Sequence, residues 1–430
     1  MNLEKNKTIS NSLRLTKEKR SSQICKVFEL KIKKHRLNKQ QLEYLEMIFV
    51  ESKWIYNYLI GKMLNDSFDI FKYNSKNLKT ITHKDKDLND IEVNLKYTGS
   101  SIRQALVSRI QSQIKILSSL KKSGHKVGKL KFKSQYNCIY LKQNNTTHKI
   151  LSKNKIKIQG ISKPLFVSGL DQMSKYSNNY DIANAILKKI DDDYYIYLTV
   201  FYDKQDIKNQ IFVNDIIGID FGCQTTLTLS NGKKINVIVE ETEKLKLLKR
   251  KRSKTTKFSN NYNRLTKQIH KEYRRLSNIK NNKTNKIVSD LLKTNKLIII
   301  QDEQLHSWHT THGKKIQTSI LGRVKVKLKQ HPNQVKVINR FVPTSKLCNH
   351  CGHVYKNLKL YDRVYICPEC GCVDDRDVHA AQNMVWLFEH LKETIGLDGS
   401  KFTRAEFYNN IENIDFQYNI RTSKHEDSSL

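Results

Sequence analysis

Ile216-Ile217-Gly218-Ile219-Asp220-Phe221-Gly222 is a short, mostly β-branched run that ends on a carboxylate. Ile216, Ile217 and Ile219 favour a buried strand, and a glycine stands two residues from Asp220 on either side. Residues 225–230 alternate, with Leu227 and Leu229 on one face, and Asn231-Gly232 follows, the strongest short hairpin signal. Residues 235–239 read as a third strand. The stretch therefore predicts a three-stranded meander with Asp220 in its first strand. An acid placed there is suited to hold a divalent metal against a phosphate. It could equally be satisfied by backbone N–H groups, so the rest of the chain has to decide.

Downstream, residues 244–286 carry sixteen Lys or Arg and a single acid, Glu272. Leu265, Ile269, Leu276 and Ile279 keep a helical stripe through this segment, which predicts one long helix or a helical hairpin. A charge run of one sign repels itself, so a bound polyanion explains it better than solvent does. Lys249, Arg250, Lys251, Arg252, Arg274 and Arg275 are the candidate contacts here. Residues 296–300 form a buried strand that runs into Gln301-Asp302-Glu303. A helix is expected over 316–328, a strand over 335–338 and a helix over 377–390 with Asp377 at its start. Residues 394–430 are polar and expected to be a flexible tail.

Upstream, residues 1–24 are polar and expected to be disordered. Phe28, Leu30 and Ile32 alternate as a strand with one wet face, then Leu42, Leu45, Ile48, Phe49, Tyr56, Leu59 and Met63 recur at helical spacing. Residues 72–99 show little periodicity and read as a loop or insertion. Ile102, Leu106, Ile110, Ile114 and Leu117 mark a second helix. From Lys129 the reading returns to strands: Leu130 and Phe132 alternate with Lys129, Lys131 and Lys133, and a hairpin is expected across the turn at Asp191-Asp192-Asp193. Lysine-faced strands interleaved with tyrosine suit nucleic acid, with cations for phosphates and rings for bases.

Composition agrees. Lys plus Arg number 78 against 41 acids, a formal net charge of +37, which calls for a polyanionic partner. No apolar run approaches the roughly 20 residues that a membrane span needs, and residues 1–26 lack the apolar core of a signal peptide. The expectation is an intracellular protein with no membrane partner. At 430 residues with 38% hydrophobic content, two or three domains with real cores are expected.

Two constellations carry chemistry. Cys348-x-x-Cys351 and Cys367-x-x-Cys370 are two tight turns, each followed by glycine, and predict four thiolates around one tetrahedral structural zinc. Cys372 is a spare thiol that could replace Cys370. The second constellation is a set of acids at strand or helix ends: Asp220, Asp302 or Glu303, and Asp377. Ribonuclease H-like nucleases build their site from such positions, and clustered carboxylates need cations between them. Two metals about 4 Å apart can activate water and stabilise the leaving oxygen.

The C-terminal half resembles the TnpB (OrfB-type) family of transposon-encoded RNA-guided DNA nucleases, which are related to miniature type V CRISPR effectors. The carrying residues are Gly218-Ile219-Asp220-Phe221-Gly222, Ile299-Ile300-Gln301-Asp302-Glu303, Thr344-Ser345-x-x-Cys348-x-x-Cys351-Gly352, and Cys367-x-x-Cys370-Gly371 leading to Asp375-Arg376-Asp377-x-x-Ala380-Ala381. In the N-terminal half, Gly128-Lys129-Leu130-Lys131-Phe132-Lys133 is similar to a segment of that family. The resemblance implies an α+β multidomain fold. A wedge-type β-barrel is expected over 25–40 and 126–210, with a helical recognition insertion over 41–125. A RuvC-like, RNase H-like α/β nuclease would occupy 215–345 and 374–393, with a zinc ribbon inserted over 346–373.

It further implies that Asp220, Glu303 and Asp377 form a catalytic triad holding two Mg2+, with Asp302 the alternative second acid. If the strand continues, the two point to opposite faces, so only one of them serves. Guide RNA and double-stranded target DNA would be the partners, and the chain would act as a monomer or homodimer. The implied activity is guide-dependent cleavage of DNA beside a short target-adjacent motif. A miniature CRISPR effector or a nuclease-inactive repressor are the alternatives, and the presence of all three acids argues against the latter. His379 stands where relatives commonly carry Asn.

Overall fold

The computed structural model describes residues 2–64, 68–75, 78–84, 89–204, 212–359 and 361–390. The chain divides into two compact units, Met1–Asn209 and Gln210–Leu430. The expected tail over 394–430 lies outside the described residues.

In the first unit the chain runs α1 (Asn2–Ser21), β1 (Gln23–Ile32), α2 (Lys39–Met63), β2 (Thr80–Lys84), β3 (Asp90–Asn94), α3 (Ser100–Lys122), β4 (Cys138–Leu141), β5 (His148–Ser152), β6 (Lys155–Ile158), β7 (Leu165–Ser168), β8 (Asp181–Ile190) and β9 (Asp193–Asp203). Seven strands form an antiparallel, nearly closed barrel in the order β4-β8-β9-β1-β7-β6-β5. Alternation drives it: Phe28, Leu30 and Ile32 of β1 are buried together with Ile196, Leu198 and Val200 of β9. These residues share one apolar core with Leu45, Ile48, Ile55 and Leu59 of α2 and Ile102, Leu106 and Ile110 of α3. The helices thus pack on the sheet as part of one body. Asn38 and Gln41 close a capping box at the start of α2.

Three sequence expectations fail in this unit. Residues 2–21 form a helix: they contain no Gly or Pro, and Lys19 and Arg20 tie its end to Asp181 at 2.7 and 3.3 Å. Residues expected as an irregular insertion include the β2–β3 hairpin, which is held by packing rather than period: Ile81 is buried, and His83 stacks on Trp54 at 4.6 Å. Residues 129–133 are not a strand. The Asn57 amide takes both backbone groups of Lys133, accepting its N–H at 2.8 Å and donating to its carbonyl at 2.9 Å, so no neighbouring strand is needed.

The second unit runs β10 (Asn214–Asp220), β11 (Leu227–Leu229), β12 (Lys234–Ile235), α4 (Glu243–Ser253), α5 (Asn260–Thr294), β13 (Asn295–Gln301), α6 (Trp308–Thr318), α7 (Leu321–Leu328), β14 (Val335–Ile338), β15 (Val364–Ile366), β16 (Val373–Asp375) and α8 (Arg376–His390). Its five-stranded sheet has the order β12-β11-β10-β13-β14, antiparallel through β12-β11-β10 and parallel through β10-β13-β14. The meander is present, with its third strand shorter than expected. The basic segment is a helical hairpin, α4 and α5, capped by Thr242 and Ser259. The expected helix over 316–328 is two helices broken at Ser319, whose extended backbone bridges to Ile238.

Period two decides which way each β10 side chain points. Ile217, Ile219 and Phe221 pack with Ile298 and Ile300 against Val288 and Leu291 of α5 and Leu321, Val324 and Leu328 of α7. Ile216, with Ile299 of β13, faces the other way, toward Met384, Leu387 and Phe388 of α8. Gly218 and Asp220 share that second face.

Candidate active site

Gly218 is the device that lets α8 approach. A Cβ at this position would lie 2.0 Å from the Ala381 carbonyl oxygen and 3.2 Å from Val385. The helix backbone therefore rests directly on β10, and its first turn, with Asp377, lies near Asp220. Asp375 caps that turn, its Oδ1 accepting the N–H groups of Asp377 and Val378 at 3.1 Å each. Substituting Gly218→Ala forces helix and strand apart. We expect a loss on the order of 3 kcal/mol in urea unfolding. An unchanged midpoint for Gly218→Ala would rule out the close packing.

The charge of Asp377 acts on Asp220, and that of Asp220 on Glu303. Asp220 is half-buried as a residue, but its carboxyl is enclosed. That burial, followed by the charge of Asp377, pushes its pKa up to about 8 against the opposing Arg376. Glu303 is held well above the usual carboxylate range, by burial first and then by Asp220. Its Oε2 is buried without a hydrogen-bond partner. Two enclosed carboxyls, one raised by Asp377 and the other by Asp220, the second with an orphaned oxygen, form a donor set suited to a hard divalent cation.

The strand ends at Gln301, and Asp302 and Glu303 separate on the turn beyond it, where the Glu303 N–H donates to the Gln301 carbonyl at 3.0 Å. Asp302 meets Lys329 at 2.6 Å, Arg340 at 3.0 Å and Lys325 at 3.7 Å. Burial acts to raise its pKa, but these cations outweigh burial and the net shift is downward. Lys325 is 5% exposed and its ammonium donates to the Glu303 carbonyl at 2.6 Å. Burial lowers its pKa, and the charges of Glu303 and Asp302 oppose that shift. Lys325 thus anchors the turn that carries both acids. Sequence reading missed it, although a lysine among Leu321, Val324 and Leu328 on one helical face was the signal.

Gln301 ends β13 on the face that α8 covers. Its amide donates to the Asn339 and Val342 carbonyls at 3.1 and 2.7 Å and accepts from Thr344 Oγ1 at 2.9 Å. It bolts the acid-bearing strand end to the lead into the cysteine turns.

The four predicted cysteines converge. Their sulfurs lie within 4.8 Å of one another, the one such group of potential ligands among the described residues. Cys348 and Cys370 are 3.6 Å apart, and Cys351 and Cys367 are 3.5 Å apart. Sulfurs bound to a tetrahedral ion at about 2.3 Å would be about 3.8 Å apart, so the geometry fits zinc. Gly352 and Gly371 close the two turns at φ of 74° and 68°. Helix α8 grips this module. His379 Nε2 donates to the Leu347 carbonyl at 2.7 Å, and Asn383 Nδ2 donates to the Leu347 and Thr344 carbonyls at 2.6 and 2.7 Å. The Tyr365 ring stacks on His379 at 4.0 Å. His379 therefore ties helix to module.

The candidate nucleic-acid residues spread over both units. Lys129 and Lys131 are exposed, but Lys133 turns inward, its ammonium 4.2 Å from the Tyr56 ring and 4.8 Å from Tyr136. On α4, Lys249 pairs with Glu241 at 2.5 Å, Arg250 and Lys251 are exposed, and Arg252 lies 5.7 Å over Tyr262. Arg275 of α5 is 3.9 Å from Glu272, and Arg274 is half-buried. Among the described residues no helix is long and apolar enough to cross a membrane.

Comparison with known proteins places these elements. Residues 199–306 match the family described as a probable transposase of OrfB type, and residues 319–384 match the Cas12f1-like TNB domain. A putative RNA-guided DNA endonuclease of Streptomyces pristinaespiralis is 30% identical over 179 residues, 39% of this chain and 44% of that protein. The putative RNA-guided DNA endonuclease InsQ of Escherichia coli is 26% identical over 195 residues, 40% of this chain and 48% of that protein. The chain thus spans about half the length of the curated relatives it matches. Among solved structures, Cas12f1 in its complex with sgRNA and target DNA has a TM-score of 0.49 at 14% identity, covering 84% of this chain and 99% of that one.

Proposed function

We propose that this chain, which is TnpB-like, is an RNA-guided, Mg2+-dependent DNA endonuclease of a transposon, cutting double-stranded DNA beside a short motif. The observation that carries the reading is that Asp220, enclosed at the end of its strand, feels the charge of Asp377 at the start of α8 and is itself felt by the enclosed Glu303 just past β13. The curated relatives are named for that activity. In this reading residues 215–345 and 374–393 are the RuvC-like nuclease and 346–373 the zinc ribbon. Residues 25–40 and 126–210 are the wedge-type barrel with its helical recognition insertion, and the location is cytoplasmic.

Asp220, Glu303 and Asp377 would hold two Mg2+, which when bound supply charge neutralisation and an activated water for phosphodiester hydrolysis. The chain's own residues prepare the site. Gly218 sets the strand-to-helix distance, Asp375 fixes the first turn of α8, and Lys325 fixes the turn of Glu303. Without a cation Asp220 keeps its proton at neutral pH, since its pKa is raised to about 8. Cys348, Cys351, Cys367 and Cys370 would hold the structural zinc. Lys129, Lys131, Arg250 and Lys251 remain exposed for phosphates, whereas Lys133 serves the fold. A miniature type V effector guided by a CRISPR RNA is the second reading, favoured by the match of residues 319–384 to the Cas12f1-like TNB domain.

The test is cleavage of a plasmid library by the complex purified with its flanking locus, with Mg2+ and with EDTA. Guide-dependent cutting lost in EDTA is expected. Glu303→Gln should lower the rate at least about 100-fold, since it removes a charge from the proposed cation site. Asp302→Asn should stay within about tenfold of wild type, because its closest ion pairs, to Lys329 and Arg340, are partly exposed and Lys325 keeps its bond to the Glu303 carbonyl. The reverse ranking would reassign the second acid, and tight guide-dependent binding without cutting would leave the repressor.

A further inference from the structure

The turn between α4 and α5 carries a residue that neither turn nor core explains. Phe258 is 84% exposed and adopts a φ of 66°. The left-handed region costs a bulky residue roughly 1–2 kcal/mol, most of which Gly or Asn would avoid. The turn itself closes on backbone atoms, with the Ser259 N–H donating to the Thr256 carbonyl at 3.2 Å. The phenyl ring therefore gives the fold neither turn geometry nor burial. It meets Tyr262, with ring centroids 6.3 Å apart, and the Arg252 guanidinium lies 5.7 Å over Tyr262. Around this pair the charge has one sign: residues 244–271 contain eleven Lys or Arg and no Asp or Glu. Cations that take phosphates, beside rings that present a π face, match nucleic acid better than an apolar protein groove.

We propose that Phe258 and Tyr262 form a base-stacking tip on the basic helical hairpin, contacting an unpaired or terminal base of bound nucleic acid. The proposal rests on the nucleic-acid partners of the proposed function and is independent of cleavage. RNA and DNA offer the same π face, so the source is a matter for the test.

The experiment compares the full-length wild type with Phe258→Gly and Phe258→Trp. Binding is read by fluorescence anisotropy on RNA and DNA probes, each as a single strand and as a blunt-ended hairpin. The same probes carry 2-aminopurine at an end or at an unpaired position. Wild type and Phe258→Trp should quench 2-aminopurine in at least one probe. Phe258→Gly should bind that probe about 5- to 100-fold more weakly, yet melt at the same or a higher temperature because the backbone strain is gone. The probe with the largest loss identifies RNA or DNA. Unchanged affinity of Phe258→Gly for all four probes would overturn the stacking tip. So would a fall in its melting temperature with binding unaltered, which would mark Phe258 as a packed residue. A wild type that binds none of the probes would instead sink the nucleic-acid reading itself.

Discussion

Asp220→Ala is expected to lower DNA cleavage at least about 10³-fold, equivalent to roughly 4 kcal/mol of transition-state stabilisation, while leaving nucleic-acid binding intact. The loss should be chemical rather than structural. Asp220 sits among like charges, and its carboxyl is enclosed enough to raise its pKa to about 8. Removing it takes away an enclosed carboxyl that burial already disfavours, so the variant should melt no lower than wild type. The same shift sets a pH signature. A carboxyl whose folded-state pKa is raised stabilises the fold below its ordinary range, and that contribution is lost as pH rises through about 8. A bound cation stabilises the ionised form and offsets this loss. The rise in melting temperature on adding Mg2+ should therefore be larger at pH 8 than at pH 5 in the wild type and absent in Asp220→Ala. Equal rises at both pH values in both proteins would sink the assignment of Asp220 as a cation ligand.

Cys348→Ser is the second large effect, and it should act at a distance. A structural zinc contributes on the order of 10 kcal/mol to a small module of this kind. The consequence reaches the acids because α8 holds the module through single backbone atoms. His379 and Asn383 both bond the Leu347 carbonyl, one residue before Cys348, and Asn383 also bonds the Thr344 carbonyl. Without zinc these carbonyls lose their fixed positions, and the start of α8 loses its support beside Asp220. Three results are expected: one zinc per chain in the wild type and none in Cys348→Ser by metal analysis, faster amide exchange across residues 339–390 in the variant, and loss of cleavage. Fast exchange confined to residues 346–373, with α8 still protected, would separate module from site and overturn the coupling.

Much of this was legible in the chain alone, for local reasons. The β-branched run before Asp220, the Asn231-Gly232 turn and the paired Cys-x-x-Cys turns are short-range signals whose structure follows from a few neighbouring residues. The four cysteines meet as their spacing implied. Elsewhere the signals were weak because the forces are not local. The helix at 2–21 has no apolar stripe to announce it, and Asp181, far along the chain, receives the cations at its end. The hairpin at 80–94 depends on Trp54 and the core rather than on alternation. Lys133 looked like the wet side of a strand and turns out to lie over two tyrosines.

The residue order alone sets the chemical parts and their succession: three acids at element ends, four thiolates on two turns, and a basic helical hairpin. Which parts meet was decided by tertiary structure. Asp302 and Glu303 are adjacent and chemically alike, but one faces Lys325, Lys329 and Arg340 and the other faces Asp220. Gly218 reads as a weak residue in a strand until a helix carbonyl lies 2.0 Å from where its Cβ would be. Periodicity can say that two side chains leave a strand on opposite faces. Only the packing of α7 on one face and α8 on the other determines what each of them meets.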